Sequence, residues 1–214
     1  MVSMVGLVVC CMFVPLVLGD WADTAVGYEH PVWNLTDNQP KDGSYQVRRY
    51  APCHWVTTNV TAWTWDEAGG TGFKRLFAYI NGDNNRGVKI DMTVPVVVKI
   101  TSNPCVFCQN VYTVYFYIPQ LYQANPPTPT DPSVKVKFLD KPWVEYARRF
   151  TGFAEGMDPF VETNQLWSDM ERNGVNCTKI FDSYMYMASF DSPFKMFHRH
   201  NEVVDDQTDC PSRD

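Results

Sequence analysis

Residues 45–58, Tyr45-Gln-Val-Arg-Arg-Tyr-Ala-Pro-Cys-His-Trp-Val-Thr-Thr58, crowd two arginines, a cysteine, a histidine and several aromatic rings into fourteen positions. Alternation over Tyr45 to Tyr50 predicts a short strand, which Pro52 should interrupt. From His54 to Trp63 the β-branched and aromatic content predicts a second strand. The stretch therefore reads as a hairpin of two antiparallel strands, with Cys53 available for a disulfide. In an extended backbone Arg48 and Arg49 point to opposite faces.

Downstream, Thr64-Trp-Asp-Glu67 fits a capping box with Thr64 as N-cap. Phe73, Leu76, Phe77 and Ile80 recur at helical spacing, so a helix runs to the stop at Asn81-Gly82. Gly69, Gly70 and Gly72 weaken its first turns, each by up to about 1 kcal/mol relative to Ala. They imply close packing on a sheet or room for something lying across the helix. VKIDMTVPVVVKI, VYTVYFYI and VKVKFL read as strands, Pro95 marking a bulge or edge, and the five prolines between Pro119 and Pro132 mark a long loop. In VYTVYFYI, Tyr112, Phe116 and Ile118 share one face and Tyr115 and Tyr117 the other. A second helix is expected over 159–172, with Val161, Leu166, Trp167 and Met170 inward. TKIFDSYMYMASF is a strand, and a short last strand carries His198 and His200 on one face if it is regular. Arg48-Arg49-Tyr50 precedes the first helix and Arg148-Arg149-Phe150 the second, one hundred residues later. The repeat of element order predicts an α+β fold, two similar halves each with a helix on antiparallel strands.

The chain has 214 residues, 45% of them hydrophobic, 14% aromatic and 20% charged, with net charge -6. Basic residues are scattered and form no run, which argues against a nucleic-acid partner. Residues 1–19 are almost wholly apolar or small and read as a secretory signal peptide cleaved near Gly19. No later segment is apolar enough to span a bilayer. Asn34, Asn59 and Asn176 each begin an N-glycosylation acceptor triplet, which agrees with secretion. Cys53, Cys105, Cys108, Cys177 and Cys210 remain after cleavage; two disulfides and one free thiol are the simplest count. The Cys105-Val-Phe-Cys108 spacing sits in a loop after Pro104, not at a helix start, so a structural bridge is expected rather than a redox centre. Residues 20–43 read as an irregular lead-in, 44–204 as the folded domain and 205–214 as a flexible acidic tail.

Tyr45-Gln-Val-Arg-Arg-Tyr50 with Trp55-Val-Thr-Thr58, Trp65-Asp-Glu-Ala68 leading to Thr71-Gly-Phe73, Lys89-Ile-Asp-Met-Thr-Val-Pro-Val96, Tyr117-Ile-Pro119, Asp191-Ser-Pro-Phe-Lys195 and Arg199-His-Asn-Glu-Val203 together resemble the SOUL haem-binding protein family. The resemblance covers nearly all of Ser44 to Val204. It implies a distorted antiparallel β-barrel of two similar halves, each with one helix packed on strands. It also implies a non-enzymatic protein that binds haem or related tetrapyrroles in an apolar groove beside the first helix. Where a branch of the family places a proposed iron-ligating histidine, this chain has Arg49. The match puts Lys74 and Arg75 on the first helix as basic partners for propionates, with Phe73 and Phe77 as apolar contacts.

Haem iron takes an axial His, Cys, Met or Tyr. Of the four histidines, His54 is the best candidate for iron because it opens a strand five residues from Arg49. Arg matches a propionate with two donors, so Arg49 is a candidate contact. The cofactor expected is a reversibly and non-covalently held haem or other porphyrin. Two other readings remain open: a carrier of another amphipathic small molecule, and a secreted interaction module that has lost haem binding. No nucleophile–base motif or metal-ligand spacing points to catalysis.

Overall fold

A computed structural model describes residues 27–101, 105, 107–154, 156–175, 184–192 and 194–206. The signal segment, Asn176, Cys177 and Cys210 lie outside the described residues. The chain folds as an α+β structure around one curled, open antiparallel sheet. Its strands are β1 (Trp33–Leu35), β2 (Gln46–Tyr50), β3 (Cys53–Ala62), β4 (Val96–Thr101), β5 (Asn110–Tyr117), β6 (Val134–Leu139), β7 (Trp143–Phe150), β8 (Tyr184–Ser189) and β9 (Asn201–Asp206). Helices α1 (Trp65–Ile80) and α3 (Asp158–Arg172) pack on it, and a single turn, α2 (Gln120–Gln123), follows β5. The strand order is β1-β2-β7-β9-β8-β4-β5-β3-β6.

That order contains the two halves. The unit β3-α1-β4-β5 forms the strand order β3-β5-β4, and β7-α3-β8-β9 forms β7-β9-β8; the two meet at β4 and β8. The preceding strand of each half is exchanged: β2 pairs with β7, and β6 with β3. The expected hairpin of 45–58 is therefore corrected, because β2 and β3 lie near opposite ends of the strand order. Only Ala51 and Pro52 join them. Three peptide steps span at most about 11 Å, so the two ends of the sheet must curl toward each other. The link 140–142, between β6 and β7, imposes the same constraint from the second half. The repeated Arg-Arg-aromatic marks are not equivalent positions either. They sit on paired neighbours, Arg48 opposite Glu145, whereas the counterpart of β7 is β3.

Side-chain alternation sorts the sheet into an outer face under the helices and an inner face within the curl. Val56 and Val60 of β3, Val114 and Phe116 of β5, and Val98 and Ile100 of β4 point outward and join α1 in the main core. Trp55, Tyr115 and Tyr117 point inward. The buried stripe of α1 is Trp65, Ala68, Gly72, Leu76, Tyr79 and Ile80, rotated from the face expected. Gly72 explains it: a Cβ there would sit 2.3 Å from Cγ2 of Val114, so the glycine is what lets the helix approach β5. Thr64 caps the helix by accepting from the Glu67 backbone N–H at 3.3 Å; Glu67 answers to the N–H of Trp63 rather than of Thr64.

Leu166 and Met170 of α3 are buried as expected, but Val161 is exposed. Asp169 is buried instead, held by Arg148 at 2.9 Å and Arg172 at 2.6 Å. Arg148 thereby ties β7 to the helix above it. Three further differences concern boundaries. The lead-in contains β1, paired with β2. The strand in VKIDMTVPVVVKI begins only at Val96, after a cis Val94–Pro95 bond. The last strand begins at Asn201, so His198, at positive φ, precedes it and shares no strand face with His200.

Candidate functional site

Two surfaces bear on function, one on each face of the sheet. On the outer face, α1 presents Phe73 and Phe77, whose rings stack at 5.5 Å with 16° between planes. Phe73 is half-buried and meets Phe116 of β5 edge-on at 5.3 Å. Phe77 is 46% exposed. The pair is thus anchored at one end and open at the other. Lys74 is exposed beside it, while Arg75 donates to the Asn59 carbonyl at 3.0 Å and the Thr58 hydroxyl at 3.3 Å, which fixes it against β3. Four residues that sequence reasoning selected for ligand contact are therefore carried on one helix.

The other two stand apart from them in the fold. Arg49 is exposed on β2, opposite Asn34 and Val144, whereas α1 lies over β3, β5 and β6. His54 is the second residue of β3, half-buried, its ring stacked on Phe138 at 4.4 Å. Gln123 secures that turn by accepting from the His54 backbone N–H at 2.7 Å and donating to the carbonyls of His54 and Ile118. His30 is exposed near the start of the described chain, and His200 is buried against Phe190, with its Nε2 2.7 Å from Glu202. Among the described residues no three His, Cys, Asp or Glu side chains gather to hold a metal ion.

On the inner face lies a cavity of about 310 Å³. Tyr50, Trp55, Tyr115, Trp143, Tyr186 and Phe190 supply its aromatic walls, and the carboxylates of Glu145 and Glu202 reach it from β7 and β9. The short links after β2 and β6 create it, since they draw both ends of the sheet around the same space. Sequence reasoning missed it. Its trace was the alternation itself: Trp55, Tyr115, Tyr117 and Tyr186 stand at every second position and make no helix contact pattern.

The charged groups there are unequally compensated. Glu202 receives the guanidinium of Arg48 through two bonds of 2.7 and 2.8 Å. Burial alone would raise its pKa, but Arg48 and the His200 hydrogen bond hold the carboxyl below the ordinary range. Glu145 accepts from the Trp143 indole N–H at 2.6 Å, and desolvation pushes its carboxyl up to about 7.

Elsewhere, Cys105 and Cys108 form a disulfide with Cα atoms 5.3 Å apart. Cys53 is a buried free thiol, pushed up to about 11 by burial. Asn34 and Asn59 are both exposed. No helix among the described residues is long and apolar enough to cross a membrane.

A family model described as "SOUL heme-binding protein" matches residues 28–206. Heme-binding protein 2 of Homo sapiens is 33% identical over 192 residues, covering 89% of this chain and 91% of its own. Heme-binding protein 1 of Mus musculus is 34% identical over 169 residues, covering 79% and 87%. Among solved structures, the EcmrR chain in an EcmrR–DNA complex superposes with TM-score 0.53 at 9% identity, covering 75% of this chain and 56% of that one. At that identity the likeness concerns the fold alone.

Proposed function

Since the chain belongs to the SOUL haem-binding family, whose members bind rather than catalyse, we propose that it holds haem or a related tetrapyrrole reversibly on the outer face of α1. The observation that carries this reading is the Phe73–Phe77 stack, fixed to the sheet through Phe116 and open to solvent at Phe77. A porphyrin face laid against such rings removes apolar area from water at about 25 cal/mol per Å², less the cost of ordering the complex. Lys74 provides a mobile cation for a propionate. Arg75, already committed to Asn59 and Thr58, contributes positive charge with little freedom to move. The ligand is retained without an iron bond, because Arg49 occupies the position of the family's proposed ligand and lies on β2.

The same reading places the protein outside the cell. Support comes from the apolar residues 1–19, the exposure of Asn34 and Asn59, and the Cys105–Cys108 bridge. Glycans on Asn34 and Asn59 would extend from β1 and β3 without displacing core residues.

Hemin titrated into the mature, oxidised protein, followed by its Soret band, tests the site. Saturable one-to-one binding is expected. Phe77→Ala should weaken it roughly tenfold, the effect of losing one large apolar contact of about 1–2 kcal/mol, and Lys74→Ala should weaken it less. Affinity unchanged in both variants, or no saturable shift in the parent protein, contradicts the assignment. The second outcome favours an interaction role for the fold.

A further inference from the structure

The inner cavity has a chemistry unlike that of the α1 surface. Its rings are held in fixed relation: Tyr50 and Trp143 stack at 5.0 Å with 7° between planes, and Trp55 stands edge-on to Tyr117 at 5.7 Å. Glu202 is answered by Arg48 and His200. Glu145 is not answered in this way. It accepts a hydrogen bond from Trp143 and, among the described residues, forms no ion pair within 4 Å; Arg48, opposite it on β2, is engaged by Glu202. On the facing wall Trp55, 6% exposed, turns its indole N–H away from solvent. Its polar neighbour is the Cys53 sulfur, which accepts weakly.

A buried carboxyl with no ion pair of its own costs free energy in the protein alone. It gains from one kind of guest. An organic cation brings a counter-charge for Glu145 and presents its positive centre to aromatic faces, and the attraction strengthens when water is excluded. A tetrapyrrole is poorly matched, because its propionates would meet Glu145 and Glu202 at depth and find the lysines, Lys137 and Lys141, only at the exposed rim. The volume lies at the low end of the range for small-molecule sites, about 300–1,000 Å³.

We propose that this inner cavity is a second binding site, for a small quaternary or protonated ammonium compound, with Glu145 as counter-charge and the Tyr50–Trp143 pair as its cation–π wall. The site is separate from the α1 surface, since the two lie on opposite faces of the sheet. Selectivity rests on charge: a neutral compound of the same shape gains the apolar walls but nothing from Glu145.

The test compares choline with its uncharged carbon isostere, dimethylbutanol, by calorimetry and by fluorescence of the cavity tryptophans in the full mature chain. Choline should bind saturably and the isostere roughly tenfold more weakly or worse. Glu145→Gln, which keeps an acceptor for Trp143, should bring the two affinities together. Ala188→Phe, which fills the cavity from β8, should abolish both. Lys74→Ala and saturating hemin should leave choline affinity unchanged. Equal binding of the two compounds to the parent protein overturns the proposal without any variant needing to fold. It is also overturned by absence of choline binding, by a Glu145→Gln variant that still discriminates, or by displacement with hemin.

Discussion

Arg48 and Arg49 sit side by side in the chain, and the extended backbone sends them to opposite faces of the sheet. Arg48 enters the curl, is 2% exposed, and is fixed by Glu202 while its guanidinium lies 4.6 Å from the ring of Trp33. Arg49 stays exposed on the outer face. Arg48→Ala leaves Glu202 buried without its cation and should cost about 3–5 kcal/mol; Arg49→Ala should cost less than about 1 kcal/mol, both read from urea unfolding midpoints. Glu202 and Glu145 also oppose each other in pH dependence. The carboxyl of Glu202 is held below its unfolded range, so its contribution is present above the unfolded pKa, about 4.3, and is lost as pH falls. Glu145 titrates at about 7 in the fold, so the folded state binds the extra proton and stability declines as pH rises from the unfolded value through 7. Glu145→Gln should therefore raise the melting temperature above about pH 7 and have little effect near about pH 4. A gain of equal size at both pH values would contradict the assignment.

At the scale of elements, α1 shows what periodicity reveals and what it hides. The capping box and the helix span were legible because both rest on local chemistry, the Thr64 hydroxyl and apolar spacing. Its buried stripe was displaced by one position because glycine stands at the point of closest approach. Gly72 contributes no hydrophobic signal, so Phe73 and Phe77 drew the face toward themselves. The three glycines of this helix now separate by mechanism. Gly72→Ala drives a methyl into Val114 and should destabilise by about 1–3 kcal/mol. Gly69→Ala and Gly70→Ala meet nothing within 4 Å and should stabilise by up to about 1 kcal/mol through helix propensity. Thermal unfolding of the three variants checks the sign, with about 2–4 °C expected per kcal/mol at this size. In α3 the missed feature was Asp169, whose polar character hides a buried position that exists only because Arg148 and Arg172 reach it.

For the molecule as a whole, the fold class and its two halves were legible because helix spacing and strand composition are local and because the ordered motifs resemble a known family. Strand pairing was not. Tyr50 and Cys53 are joined by two residues, and a hairpin is the default reading of such proximity. Exchange of β2 and β6 between halves depends on partners roughly 75 to 100 residues away, which no local pattern encodes. The inner cavity follows from that exchange and was hidden with it. The α1 surface was easier to find, because Phe73, Lys74, Arg75 and Phe77 are contiguous on one element, whereas Glu145 and Trp55 come together only through closure of the sheet. Arg49 and His54 mark the limit in the other direction: close in sequence, they belong to strands near opposite ends of the sheet order.

The claim that a tetrapyrrole is held by ring contact on α1 rather than by an iron bond can be tested by one comparison, the affinity of the mature protein for hemin against that for iron-free protoporphyrin. Ring contact without ligation should give equal affinities within roughly threefold, a difference of less than about 1 kcal/mol, and no change on replacing His54 with Ala. Binding of hemin alone, lost in the His54→Ala protein, would contradict it and make His54 an axial ligand.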